Sequence, residues 1–473
     1  MRATLPLGHA NRLPAGLQPN KPEIIPSYGT QVKARLGKES TMHTFRGILY
    51  GVKDLVRFHI TFLVCLVLLG ALAAGSVWLF RAPLRAWAYG VTGEEDWLAQ
   101  VKGLAEYAGN LTRPQPKVDS DAPVQYTDVV PFGINTFLEQ EVEVAKRERS
   151  LQMIRDAGFR WIRQEFPWED IEIHGKGDFQ DRRWEPYRSA WDKYDNIVAL
   201  AGKYGLQIIC RLDNPPAWSR ADGNARGTLI PPDDYADFGD YVYAVVSRYR
   251  GQIRFYQIWN EPNLVREWGQ VSARDYVNLL RIAYTRAKEA DPDSVILAGA
   301  LAATIELNGS ELGKGINDFI YLQQMYDAGA APYFDILSMQ GYGLYSGPTD
   351  RRMRPRVLNF SRPLYIREIM VQNGDAHKPV WISELDWSPV PAGITPVYGR
   401  YDEATRARYV VEAYERMRQE WPWMGVASFW FFKRADDSER DQPSYYFRMV
   451  EPDFTALPVY EAMRAYTATH AQE

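Results

Sequence analysis

From Val129 to the C-terminus, short apolar runs alternate with longer stretches of helical periodicity. This alternation constrains the fold of the 473-residue chain most strongly, because strands separated by helices form parallel sheets. The predicted strands are Val129–Asn135, Phe159–Glu165, Gln207–Leu212, Phe255–Asn260, Val295–Ala298, Phe334–Gln340, Pro379–Ser383 and Gly425–Phe431. Eight such units that close on themselves predict an α/β fold, a (β/α)8 TIM barrel over residues 128–473.

An apolar run in residues 60–80 precedes the barrel and holds 21 residues without a charge. That length is sufficient for a helix to span a bilayer. Residues 1–59 carry nine Lys and Arg against three acidic residues, and we predict a disordered cytoplasmic tail there. The positive-inside bias then predicts a single-pass membrane protein whose C-terminal domain lies outside the cytoplasm, with the lipid bilayer as a partner through residues 60–80.

Two other interpretations of this run stay open. A cleaved signal peptide would end near Ala73, because Ala71-Leu72-Ala73 resembles a small-residue cleavage site, and the protein would then be secreted. A lead of 59 residues is long for such a peptide unless translation starts at Met42. A buried core helix is the other alternative. The sequence favours an uncleaved anchor, because the apolar run continues past Ala73 to Phe80.

Residues 81–127 lie between the apolar run and the barrel. They contain one short amphipathic pattern, from Trp97 to Leu111, followed by three proline residues at positions 114, 116 and 123. We predict that this segment is an extracytoplasmic linker with one helix.

Two glutamates end two of the predicted strands. Glu261 follows the fourth strand and Glu384 follows the seventh. In a barrel of this kind the active site lies at the C-terminal ends of the strands, so the two carboxyl groups can converge across its mouth. Paired carboxyl groups are what cleavage of a glycosidic bond needs: one acid protonates the leaving oxygen, and the other group attacks or activates water. A strand-end glutamate can also cap a helix or pair with arginine, but two in this arrangement favour a catalytic site.

Four segments carry a resemblance to a known group of proteins. Trp259–Pro262 and Trp381–Glu384 resemble the strand-four and strand-seven motifs of the clan of retaining (β/α)8 glycoside hydrolases, clan A. Phe159–Trp168 resembles the strand-two segment of that clan, and Phe429-Trp430 resembles its strand-eight segment. Within the clan, the sequence is most similar to family 39, which is β-xylosidase-like, and to the cellulase-like family 5.

The resemblance implies roles for individual residues. Glu261 would be the general acid/base, with a raised pKa, and Glu384 would be the nucleophile that forms a glycosyl-enzyme ester. Arg163 would keep Glu384 ionised. Asn260 would hydrogen-bond to the 2-hydroxyl group of the sugar, and Tyr342 would donate to Glu384. Retaining chemistry further predicts that the two carboxyl groups are about 5–5.5 Å apart.

One position departs from the pattern of the clan. The strand-six segment usually carries His-x-Tyr, whereas here Gln340 stands at the place of the histidine, two residues before Tyr342. Gln can form hydrogen bonds but cannot titrate. The substitution bears on the fine tuning and specificity of the site more than on the basic mechanism.

Tryptophans at or just after strand ends are candidates for sugar-stacking platforms. Trp430 is the strongest of these candidates, since the resemblance places it as the floor of the sugar subsite. Trp168, Trp218 and Trp387 are weaker, and packing is an equally good interpretation for each. Packing must also explain most of the 15 Trp and 29 Tyr, although this abundance fits a sugar-binding cleft.

Other classes of function find little support. The net charge of −4 argues against a nucleic-acid partner, which usually meets a basic surface. The sequence contains no His-x-x-x-His, Cys/His cluster or Gly-rich phosphate loop, so neither a metal nor a cofactor is predicted. Two cysteines, Cys65 and Cys210, do not form a disulfide framework.

The sequence therefore predicts a membrane-anchored retaining glycoside hydrolase that acts on a β-linked oligo- or polysaccharide. Transglycosylation would use the same residues and stays open. A catalytically idle barrel that binds glycans or serves as an envelope scaffold is the alternative of another class, and Gln340 is the feature that keeps it open.

Overall fold

The computed structural model describes residues 38–306 and 314–470. They belong to two compact units, which meet in sequence between Leu79 and Phe80. The first 37 residues of the predicted disordered tail lie outside the described residues. The remainder of that tail is helical, because helix α1 (Lys38–Leu79) starts well before the apolar run.

Helix α1 contains a candidate membrane span at Lys53–Leu72, a 20-residue segment of mean hydropathy 2.3. The span overlaps the predicted run of residues 60–80 but begins earlier in the chain. None of it is buried against the rest of the described protein, which disfavours the buried core helix among the alternatives. Length and composition are the properties that qualify it as a span.

The second unit is built from eight parallel strands and the helices that connect them. The strands are β1 Phe132–Thr136, β2 Trp161–Pro167, β3 Gln207–Asp213, β4 Phe255–Asn260, β5 Val295–Ala300, β6 Leu337–Gln340, β7 Val380–Leu385 and β8 Met424–Phe429. The helices are α2 Arg81–Thr92, α3 Trp97–Leu111, α4 Val144–Asp156, α5 Asp192–Lys203, α6 Tyr235–Arg248, α7 Val265–Trp268, α8 Ala273–Ala290, α9 Asp318–Asp327, α10 Pro363–Gln372, α11 Glu403–Glu420 and α12 Pro458–His470. A small antiparallel hairpin, Gln180–Asp181 with Arg188–Ser189, follows β2 and was not predicted.

The eight strands form one closed barrel, as predicted. Their order in the sheet is β5-β4-β3-β2-β1-β8-β7-β6, so every pair along this order consists of strands adjacent in sequence, apart from β1 and β8. Parallel bridges between Leu297 and Ile336, and between Leu301 and Met339, join the two ends of the sheet. The predicted TIM barrel is thereby confirmed.

On β2 and β4, the face that points into the barrel changes from apolar to polar along the strand. Trp161, Phe255 and Trp381 belong to one buried apolar cluster at the N-terminal ends of β2, β4 and β7. Two residues further along, on the same face of β2 and β4, stand Arg163 and Gln257, both buried. The barrel therefore has an apolar floor and a polar layer above it, directed toward the C-terminal ends of the strands.

Residues 81–127 are not the predicted linker, because helices α2 and α3 dock on the barrel unit. Gly93, with a φ of +64°, ends α2, and the Asp96 side chain then caps α3 by accepting from the Leu98 and Ala99 amides. The buried Arg352 holds this turn by donating to the Thr92 carbonyl at 2.9 Å and by an ion pair with Glu94 at 2.5 Å. The segment belongs to the compact second unit.

Candidate active site

Arg163, on β2, is the centre of the polar layer. Its guanidinium donates to Asn135 Oδ1 at 2.8 Å, Gln257 Oε1 at 2.8 Å, Asn260 Oδ1 at 2.7 Å and Glu384 Oε1 at 3.1 Å. These partners come from β1, β4 and β7, and the arginine side chain is 2% exposed. A buried guanidinium with several charge-assisted bonds is fixed in position, and it fixes the carboxylate that it contacts.

A local irregularity in β7 turns Glu384 into the barrel. The pairing with β6 changes register between Met339, which pairs with Ile382, and Gln340, which pairs with Glu384. An extra residue of this kind re-aims the side chains that follow it. Glu384 Oε2 then accepts from the Tyr342 hydroxyl at 2.8 Å, while Oε1 faces Arg163. Burial, followed by the charge of Glu384, raises the pKa of Tyr342 well above its ordinary value, so the phenol stays a donor.

Glu261 is turned toward the same space by the backbone at the end of β4. Trp259 and Glu261 have positive φ angles of 74° and 44°, a region that residues other than glycine rarely adopt. Glu261 Oε1 accepts from Gln340 Nε2 at 3.1 Å, and Oε2 accepts from Arg266 at 2.5 Å. Burial raises the pKa of the Glu261 carboxyl, and the charge of Glu384 raises it further, while Arg266 and Gln340 oppose this rise.

Gln340 occupies the position beside Glu261 where the resemblance expects histidine. Its amide nitrogen donates to Glu261, whereas its Oε1 is buried without a hydrogen-bond partner among the described residues. A buried acceptor of this kind is unfavourable unless a ligand or water satisfies it. Gln340 therefore has an acceptor to offer to a hydroxyl group.

The structure brings together six of the residues singled out from the sequence. These are Glu261, Glu384, Asn260, Arg163, Tyr342 and Gln340. Arg163, Asn260, Glu384 and Tyr342 form one hydrogen-bonded set, and Glu261 and Gln340 form a second set with Arg266. Sequence reasoning missed four members of this site: Asn135, Gln257, Arg266 and Glu267. Alternation along β4 could have indicated Gln257, which lies two residues after the buried Phe255. Asn135 lies on β1, whereas Arg266 and Glu267 lie on α7, whose position depends on the local backbone geometry after β4.

Trp430 and Trp168 have different environments. Trp430 is partly exposed just after β8, where its ring contacts Phe137 edge-on at 5.6 Å. Trp168 is fully buried, stacks on Tyr241 and donates its indole N–H to Glu172. The fully buried Trp168 presents no open face, so we correct its role from sugar platform to core packing. Trp387 is likewise fully buried.

A second group of acidic side chains lies at the ends of β2 and β3. Arg211 pairs with Glu165 and, at 2.9 Å, with Asp213. Burial, together with the charge of Glu165, raises the pKa of Asp213 to about 7 against the opposing effect of Arg211. Among residues 38–306 and 314–470, no group of three or more His, Cys, Asp or Glu side chains is placed to hold a metal ion.

Comparison with known proteins supports the fold. No family model matches the chain. A β-xylosidase of Geobacillus stearothermophilus is 24% identical over 264 residues, which cover 50% of this chain and 48% of that protein. The chain thus spans about half the length of this curated relative.

Two solved structures share the architecture. A family 39 glycoside hydrolase from the gut symbiont Bacteroides cellulosilyticus has a TM-score of 0.55 at 18% identity, covering 74% of this chain and 66% of that one. A family 39 β-xylosidase from Caulobacter crescentus has a TM-score of 0.52 at 18% identity, covering 76% and 73%. The resemblance seen in the sequence is confirmed at the level of the fold: this chain is similar to the clan A glycoside hydrolases, and to family 39 among them.

Proposed function

We propose that this chain is a retaining glycoside hydrolase that cleaves a β-linked glycan, held at a membrane by helix α1. One observation carries the proposal: Glu261 and Glu384 are buried at the ends of β4 and β7, near enough for the charge of Glu384 to raise the pKa of Glu261, and each has its own set of donors. Two carboxyl groups whose surroundings differ can take different protonation states at one pH, which acid/base and nucleophile roles require.

In the first step, Glu384 attacks the anomeric carbon while the bond from that carbon to the leaving oxygen breaks. Glu261 gives its proton to the leaving oxygen, so the leaving group departs as an alcohol and the sugar remains as an ester of Glu384. In the second step, water attacks the same carbon, Glu261 takes a proton from the water, and the Glu384 carboxylate is released.

The surrounding residues support these roles. Arg163 places a buried positive charge 3.1 Å from Glu384 and fixes its carboxyl group in position for attack. Burial and the neighbouring Glu384 favour the protonated form of Glu261, which is the form that acts as an acid. Asn260, held by Arg163, is positioned for the 2-hydroxyl group of the sugar, and the free acceptor of Gln340 fits another hydroxyl. Trp430 supplies an apolar ring at the mouth.

The membrane part of the proposal rests on α1. Its span of Lys53–Leu72 is long and apolar enough to cross a bilayer, and positively charged residues precede the apolar run. An uncleaved span would keep the catalytic unit at the outer surface. N-terminal sequencing of the mature protein tests this: a new terminus near Ala73 would replace the anchor with a secreted enzyme.

The activity is tested with the full chain in detergent on a panel of aryl β-glycosides and β-glycans. Wild type is compared with Glu261→Gln, Glu384→Gln and a matched surface control, Glu461→Gln, whose carboxylate pairs with Arg464 at 2.8 Å. We expect hydrolysis by wild type and control, with losses of about 10²-fold or more in each catalytic variant. The first-formed sugar should keep the β configuration.

Other outcomes separate the alternatives. Longer oligosaccharides among the products would identify a transglycosylase. A folded wild-type chain that binds glycans and cleaves none of them would establish the idle barrel instead, and Gln340→His would then be the first reversion to make.

A further inference from the structure

The arginine beside Glu261 makes this end of the site unusual. The Arg266 side chain is 66% exposed, yet its guanidinium donates to the buried Glu261 at 2.5 Å and also contacts Glu267 at 3.1 Å. It belongs to α7, the single turn that follows β4.

The hydrogen bond from Arg266 opposes the general-acid role proposed for Glu261. A general acid must be protonated before it can give its proton away, whereas a hydrogen-bonded guanidinium stabilises the ionised form. Once Glu261 is protonated, Arg266 has lost its anionic partner. Glu267 replaces it only in part, because burial raises the pKa of that carboxyl above its ordinary value. The catalytically active form therefore leaves a largely exposed cation with a reduced counter-charge.

Other charged groups lie near Glu261 and Arg266, but none of them supplies the counter-charge that Arg266 loses. The groups acting on Glu261, Arg266 and Glu267 are Glu384 on β7, Tyr342 after β6, Tyr398 before α11, and Arg211 and Asp213 on β3. Glu384 is itself held by Arg163 and Tyr342. The most direct counter-charge for Arg266 in the active form is one that arrives with the substrate.

A groove of about 710 Å³ lies beside the C-terminal end of α7. Trp268, the last residue of α7, lines this groove together with Ile230, Gln270 and Arg274. Arg274 is exposed and has no ion-pair partner among the described residues, although Asp233 and Asp275 also line the groove. The Asp275 carboxylate is engaged by the Trp268 indole at 3.1 Å and the Tyr235 hydroxyl at 2.7 Å. The volume is within the range of pockets that hold small ligands.

We propose that Arg266 binds the carboxylate of an acidic sugar on the leaving-group side, with the polymer continuing into the groove, so that substrate binding and protonation of Glu261 favour each other. The planar guanidinium matches a carboxylate, and the incoming anion takes the place that Glu261 gives up on protonation. The inference rests on the proposed function and narrows its substrate class to β-linked glycans that contain uronic acid.

Binding tests the inference independently of turnover. The probes are a β-linked tetraglucuronate and its carboxyl-reduced form, titrated calorimetrically into the full chain carrying Glu384→Gln. We expect at least roughly tenfold tighter binding of the acidic probe, a preference lost in Arg266→Met and largely kept in Arg266→Lys. Arg464→Met is the matched control, because Arg464 is 57% exposed and pairs with Glu461 as Arg266 pairs with Glu261.

Kinetics then separate charge recognition from a structural role. With a neutral leaving group, Arg266→Met should move the alkaline limb of the kcat profile to higher pH, since the ionised form of Glu261 loses a stabilising partner. With a glucuronate leaving group, the wild-type limb should already lie at higher pH than with the neutral one, and this difference should vanish in Arg266→Met.

Equal affinity of the two probes, or an acidic preference that survives Arg266→Met, overturns the inference. Failure of the proposed function gives another result: the acidic probe binds preferentially through Arg266, but neither wild type nor control cleaves any glycan.

Discussion

Glu384 and Glu261 each lie against an arginine at the end of a barrel strand, but the two arginines differ in exposure. Arg163 is 2% exposed and bonds to four partners from three other strands. Arg266 is 66% exposed, and its contacts are with Glu261 and the adjacent Glu267. A pair that is buried on both sides is fixed in position, whereas a pair with one exposed partner can separate and re-form. The nucleophile needs the first arrangement and the acid/base needs the second, because only Glu261 changes protonation state in each half of the reaction.

The largest expected effect comes from removing each carboxylate in turn on substrates with different leaving groups. Glu261→Gln should lose about 10²–10⁴-fold in rate on glycans, whose leaving oxygen needs a proton, and far less on dinitrophenyl glycosides, whose leaving group departs as an anion. Glu384→Gln should lose activity on both. Steady-state rates on the two substrate types check this, and equal sensitivity in both variants would contradict the assignment of roles.

The next largest effect concerns the two arginines. Arg163→Met leaves Glu384 buried without an ion-pair partner, together with two unsatisfied amide oxygens, those of Asn135 and Asn260, so the free energy of unfolding should fall by about 3–5 kcal/mol. Arg266→Met removes a pair whose cation is largely exposed and whose buried carboxyl can take up a proton, so the free energy of unfolding should fall by less than in Arg163→Met. Urea denaturation of the full chain in detergent measures both values. Similar losses would remove the distinction drawn between the two pairs.

A smaller effect is expected at Gln340. Gln340→Leu deletes the donor at 3.1 Å from Glu261, which favours the ionised form, so the alkaline limb of activity should move to higher pH. The change in kcat at the optimum should be about tenfold or less, which corresponds to a single hydrogen bond. Gln340→His can still donate and serves as the control. A limb that moves to lower pH in the leucine variant would show that Gln340 does not stabilise the carboxylate.

The smallest effect is on thermal stability. Because the pKa of Glu261 is raised in the folded protein, this group favours the fold below its unfolded pKa, and that contribution is lost as pH rises through the folded pKa. Glu261→Gln lacks the buried carboxylate and should therefore melt at a higher temperature than wild type at pH 8. The difference should shrink toward pH 4. A variant that melts lower than wild type at pH 8 would argue that Arg266 outweighs burial.

The barrel was predictable because its signal is local and repeated. Observed strand bounds differ from predicted ones by a few residues, as in β2, which begins at Trp161 rather than Phe159. The docking of α2 and α3 was not predictable, because Arg352 lies some 260 residues from the Thr92 carbonyl that it holds, and no periodic pattern records such a contact.

Within the active site, too, local motifs were predictable from the sequence but contacts that depend on the folded backbone were not. Glu261 and Glu384 stand in recognisable segments, and their strand positions placed them correctly at the mouth of the barrel. Arg266 carries no comparable signal, since an arginine in a loop-like stretch after a strand is most often solvated. Its contact with Glu261 depends on the positive φ angles at Trp259 and Glu261, which cannot be predicted from the sequence. Trp168 illustrates the opposite error, because its position at a strand end does not reveal that its ring points into the core.

The network around Arg163 also has a consequence for how the protein is made. Arg163 and Glu384 are 221 residues apart in the chain. At a synthesis rate of about 5–20 residues per second, the arginine leaves the ribosome roughly 10–45 s before its carboxylate. During that interval the nascent barrel holds a cation in its polar layer with no anionic partner from β7. An incomplete chain is thus disfavoured electrostatically as well as by its open sheet edges, and the completed polar layer marks a chain that has been synthesised through β7.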